Sequence, residues 1–106
     1  MTNQIGFSHE YTKLAFHLFS TIRRYDRYPF IGTIHIVNSP NRRFRAILIL
    51  KIKMILKDIP TPFLCYDTDT LNRIDAIKTL NSFYKNKIHD DEKLTILFFE
   101  KGDEKE

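Results

Sequence analysis

The clearest pattern along the chain has period two. In "FRAILILKIKMIL" (residues 44–56) every even position is apolar: Phe44, Ala46, Leu48, Leu50, Ile52, Met54 and Leu56. The odd positions mix Arg45, Lys51 and Lys53 with Ile47, Ile49 and Ile55. One buried face and one mixed face predict a β-strand, with Arg45, Lys51 and Lys53 expected on the same side. At ~3.3 Å per residue this segment spans about 43 Å, against a radius of gyration near ~13 Å for a domain of this size. Such a strand has to bend, coil or break at a bulge.

Other segments are shorter. "TIHIV" (33–37) alternates and predicts a strand, followed by the polar turn "NSPNRR" and a hairpin into the long strand. Residues 9–20 place Leu14, Ala15, Leu18 and Phe19 at helical spacing, with Tyr11 a turn earlier and Ser8 as N-cap. Thr21 and Ile22 are β-branched and leave that helix in extended form. "KDIPTPFLCYDTDT" predicts a connection with one helical turn, in which Asp67 and Asp69 serve turns and caps. From a Thr70 N-cap, Leu71, Ile74, Ile77, Leu80 and Tyr84 recur at three- and four-residue steps, predicting a helix of about 15 residues. "LTILFF" (94–99) is apolar on both faces and predicts a central strand, and residues 100–106 predict a frayed charged tail. Short extended pieces such as "NQIGF" and "TIR" are available to close a sheet. The expected fold is therefore α+β: one domain, residues 1–99, with a small mixed β-barrel flanked by two helices.

Composition narrows the function classes. The chain has 106 residues, of which 42% are hydrophobic and 28% charged, so one modest core is expected rather than disorder. Residues 1–57 hold ten Lys/Arg against two Asp/Glu, and residues 58–106 hold seven against eleven. A basic half beside an acidic half suits a surface that meets nucleic acid, and equally a set of solvated strand faces. The single cysteine, Cys65, excludes an intramolecular disulfide and reads as a small core residue. No Cys/His spacing suits zinc, so no metal and no cofactor are expected. No signal peptide and no membrane-spanning run is read, which gives a cytoplasmic expectation and no membrane partner.

One stretch concentrates polar chemistry. "STIRRYDRYPFIG" packs Thr21, Arg23, Arg24, Tyr25, Arg27 and Tyr28 before Gly32 and the "TIHIV" strand. Arginine offers a planar fork of donors matched to phosphate or to a base edge, and tyrosine a ring on which a base stacks. Both residue types also serve plainly structural ends: an Arg paired with Asp67 or Asp75, or a Tyr that caps the core. Arg42, Arg43 and Arg45, extended by Lys51 and Lys53, form a candidate phosphate-contacting track.

The ordered set resembles the ASCH domain of the PUA-like superfamily over residues 16–99. The features are a lead-in to "STIRR" matching a TxR element, Gly32 before a strand, the strand "FRAILILKI", the helix "LNRIDAIKTLNSFY" and the final strand "LTILFF". The resemblance implies a β-barrel with a cleft beside the TxR element and an RNA or modified-nucleobase ligand. In some members it also implies hydrolysis of an acyl group from the N4 amine of cytidine. Those members use a lysine three residues before the TxR threonine, the threonine itself and a carboxylate on the later helix.

Thr21 and Arg23 match the element, and Asp75 falls near the acidic position. The lysine position holds Leu18. A hydroxyl nucleophile needs an activating base, which leucine cannot supply. Lys13 lies five residues further upstream, expected on another part of the helix surface. The sequence therefore points to an RNA- or nucleobase-binding module, with Thr21, Arg23, Arg24 and Tyr25 around a pocket. Thr21 and Asp75 would be catalytic only in the hydrolase alternative. A third possibility is an inactive protein-interaction factor, marked by a large exposed apolar patch.

Overall fold

A computed structural model describes residues 2–7, 11–25 and 31–102. In chain order its strands are β1 (Thr2–Gly6), β2 (Leu18–Arg23), β3 (Ile34–Ser39), β4 (Arg42–Ile55) and β5 (Lys93–Lys101). Between β4 and β5 lie the helices α1 (Thr61–Thr68) and α2 (Arg73–Ser82). The strands form one mixed sheet in the order β1-β3-β4-β5-β2, parallel between β1 and β3 and antiparallel elsewhere. No helix among the described residues is long and apolar enough to cross a membrane.

The long strand breaks at a bulge. Leu48 faces Phe99 and Leu50 faces Phe98, so Ile49 is extra and the register shifts. Before the bulge Phe44, Ala46 and Leu48 enter a core with Phe19, Leu97 and Phe99. After it, Lys51 and Lys53 take over that sheet face, opposite Leu97 and Thr95. Leu50, Ile52 and Met54 turn to the other face, where Met54 meets a second core of Leu64, Ala76, Leu80, Leu94 and Ile96 under α1 and α2. A one-residue insertion thus exchanges the two faces of a period-two strand. This also explains why β5 is apolar on both sides: Leu97 and Phe99 serve one core, Leu94 and Ile96 the other.

Several expectations change. Residues 12–15 form only a short 3-10 turn, and residues 18–20 of the expected first helix belong to β2. The helical spacing of Leu14, Leu18 and Phe19 loses to the ladder that β2 makes with β5, which pairs six successive residues. The Ser8 cap lies outside the described residues. Residues 61–68 form a full helix rather than one turn, opened by Pro60 and Pro62 and closed by Asp69 in the left-handed region (φ 60°). α2 starts two residues later than expected, on Asn72, whose side chain accepts from the Asp75 amide. β5 continues through Glu100 and Lys101 into the expected tail.

The sheet is open and the expected barrel is not formed. β1 and β2 are its two edges, and no ladder joins them. Arg23 bridges them instead, its Nη2 donating to the Gly6 carbonyl at 3.0 Å. The gap between the edges is occupied by a cavity.

Candidate functional site: a cavity between the sheet edges

The cavity measures about 250 Å³. Gly6 comes to it from the end of β1 and Phe7 from just beyond it, Thr21 and Arg23 from β2, Lys13 from the 3-10 turn and Asp67 from α1, with Tyr84 closing the α2 side. β2 delivers Thr21 and Arg23 together because residues two apart on a strand share a face.

A buried ion pair forms its floor. Lys13 Nζ donates to Asp67 Oδ1 at 3.0 Å, with the side chains 2% and 4% exposed. Ser20 Oγ donates to the same oxygen at 2.7 Å. The Lys13 ammonium position also sits 5.2 Å from the ring centroids of both Phe7 and Tyr11. Burial pushes the Lys13 amine below its ordinary value of 10.5, and the Arg23 charge adds to that; the Asp67 carboxylate opposes it without cancelling it. Desolvating two charges is costly, and apolar residues of the same volume would often be as stable.

Beside this pair, Thr21 is buried and its Oγ1 accepts from Arg23 Nε at 3.0 Å. The Thr21 hydroxyl proton is thereby directed elsewhere than to Arg23. The Arg23 guanidinium packs 5.2 Å from the Phe7 ring centroid. One small cavity therefore holds an amine of weakened basicity, a carboxylate, a hydroxyl and a fixed cation, against aromatic walls.

Not every candidate from the sequence gathers here. Asp75 lies at the exposed start of α2, where Asn72 Nδ2 donates to its Oδ2 at 3.0 Å, and it does not line the cavity. The acidic group in the cavity is Asp67, which sits inside α1 rather than in a turn. Leu18 is 54% exposed, and the amine comes from Lys13. Arg24 is held by Glu92 through Nε at 2.6 Å and Nη2 at 3.0 Å, and by the Asn86 carbonyl at 2.5 Å. Its pairing with Glu92 raises the Arg24 pKa and lowers that of Glu92. Tyr25 is exposed and meets Tyr84 edge-on at 5.9 Å, outside the cavity lining. Arg27 and Tyr28 lie outside the described residues.

The basic track along β4 is split. Arg43 and Arg45 are exposed on one sheet face, while Lys51 and Lys53 stand on the other because of the Ile49 bulge. Arg42 Nη1 donates to the Leu14 carbonyl at 3.4 Å. Sequence spacing missed Lys13 and Asp67, which are 54 positions apart. A lysine between Tyr11 and Leu14, both buried, was the one local signal, and the expected helix masked it.

Compared with known proteins, the chain matches no family model, no curated protein and no solved structure.

Proposed function

We propose that this protein is a small amidohydrolase that removes an acyl group from the exocyclic amine of a nucleobase. The observation that carries this reading is that Lys13, held by Asp67, lines the same cavity as Thr21 and Arg23. The sequence objection was the absence of an amine near the hydroxyl, and Lys13 answers it from the turn ahead of β2. The aromatic walls suit a flat ring, and about 250 Å³ suits a base better than a larger ligand.

In this proposal the Lys13 amine, once it has given up its extra proton, takes the Thr21 hydroxyl proton as Oγ1 attacks the acyl carbon. The carbon–nitrogen bond breaks, and the proton passes from Lys13 to the leaving amine. Water then adds to the acyl–Thr21 ester, again giving a proton to Lys13, and the acid leaves as Thr21 regains its hydrogen. Arg23 stabilises the negative charge that develops on the acyl oxygen. Asp67 and Ser20 are positioning residues for Lys13.

The test is acetate release from N4-acetylcytidine as the free nucleoside in one arm and within a short RNA in another. Turnover in either arm, abolished in Thr21→Val and in Lys13→Met, is the expected result. No release in both arms overturns hydrolysis. Saturable binding without release would support the second reading, a nucleobase-binding module, which rests on the aromatic walls and on Arg23. Steep weakening of that binding by salt would point to phosphate contacts and so to RNA.

A further inference from the structure

On the sheet face opposite Thr21 and Arg23, α1 and α2 cover only the half beyond the bulge, where Met54, Leu94 and Ile96 lie. Among the described residues, no helix covers the other half. Ile34 pairs with Ile47, Ile47 with Glu100 and Glu100 with Leu18, so four strands contribute one continuous row. Ile34 is 44% exposed, Ile47 37% and Leu18 54%; Leu50, on the same face in the next row, is 44% exposed. Three strand spacings make this row roughly 14 Å wide. An apolar strip of this kind is characteristic of a surface that meets another protein.

The charges on the strip indicate which protein. Glu100 stands in the middle of the apolar row, its carboxylate 3.3 Å from His17 Nε2 at the surface. Arg45, two residues before Ile47 on the same face, is exposed, and so is Arg43. Both signs of charge thus flank the same isoleucine. A partner of one sign would satisfy only half of them. A second copy satisfies both: in a two-fold contact residue i meets residue j and j meets i. An axis midway between Arg45 and Glu100 sets each guanidinium against the other copy's carboxylate. The same axis stacks the two apolar rows at the ordinary distance of packed sheets.

We infer that this sheet face is a two-fold interface between two copies of the chain, with Ile47 at its centre and reciprocal Arg45–Glu100 pairs beside it. The cavity lies between the sheet edges, so Thr21 and Arg23 stay on the opposite face and the pairing does not depend on the proposed chemistry.

Sedimentation equilibrium of the full chain tests this. The wild type is expected to form a dimer, and Ile47→Asp a monomer with an unchanged circular dichroism spectrum. Arg45→Glu and Glu100→Arg should each weaken association by roughly tenfold or more, and the double reversal should restore it. Thr21→Val should leave association unchanged. A wild type that stays monomeric at every concentration overturns the inference. So does a dimer that none of the three face variants weakens.

Discussion

Lys13 Nζ lies 3.0 Å from Asp67 Oδ1, and the two side chains are 2% and 4% exposed. This contact ties the turn ahead of β2 to the last turn of α1, and so joins the sheet edge to the helical layer. It also sets the charge inside the cavity.

Truncating one partner should be far worse than replacing both. Asp67→Ala leaves a buried amine without its counter-charge and should cost about 3–5 kcal/mol. The pair Lys13→Met with Asp67→Leu removes both charges and should recover most of that loss. Urea unfolding of the three proteins measures the difference, and equal losses in single and double variants would reject the assignment.

Stability should carry a signature of Lys13 at alkaline pH. Its folded pKa is below the ordinary 10.5. Between those two values the unfolded chain binds the extra proton, so unfolding free energy rises with pH across that window. Lys13→Met should remove this part of the slope. Melts of both proteins from neutral pH towards 10.5 check it by difference, since other lysines and tyrosines titrate there in common.

At acid pH the corresponding group is Glu92. Arg24 holds its carboxyl below the ordinary 4.5. The stabilisation is therefore present above 4.5 and is lost as pH falls through the lower, folded value. Glu92→Gln should be less stable near neutrality and should show a flatter acid limb. An acid transition identical to that of the wild type would contradict the role given to the Arg24–Glu92 pair.

Arg23 donates to both Thr21 Oγ1 and the Gly6 carbonyl from one guanidinium. A lysine has no fork and cannot reproduce both bonds. Arg23→Lys should lose about 1.5–3 kcal/mol and loosen the link between the edges. Hydrogen exchange should speed up selectively at β1. Uniform acceleration over the whole sheet would point to general destabilisation instead.

Deleting Ile49 should be milder than its place in the middle of β4 suggests. Leu48 opposite Phe99 and Leu50 opposite Phe98 become consecutive, so the ladder turns regular and Lys51 and Lys53 keep their sheet face. The variant should still unfold cooperatively in urea, with a loss of about 0.5–3 kcal/mol, and a chain that no longer folds would contradict the register given to Ile49. The substitution Ile49→Thr keeps the register and should be tolerated.

Local pattern was enough for much of the architecture. The alternation in residues 44–56, the breakers at Pro40 and Asn41 and the two-sided apolar run near the C-terminus each report on their own neighbourhood. β4, the hairpin and the interior position of β5 all follow from them. The need for a bend in β4 followed from its length against the size of the domain, although its position at Ile49 did not. Thr21 and Arg23 were legible as a pair because they lie two apart in an extended segment.

What failed was whatever depended on a distant partner. Leu14, Leu18 and Phe19 have helical spacing, yet β5 offers them a ladder, and the ladder wins. Asp75 has the right neighbours in sequence, but the N-cap of α2 engages it at the surface, while Asp67 turns inward to Lys13. The side of the sheet on which Arg45, Lys51 and Lys53 stand was decided by one unpaired residue. By itself the sequence determined which segments alternate, where they turn and which strand carries the hydroxyl and the guanidinium, because those are short-range properties of side-chain spacing. Only the tertiary structure decided that Lys13 and Asp67 meet inside the cavity and that the sheet stays open around it. Those outcomes depend on the desolvation of charged groups and on strand pairing across the whole chain.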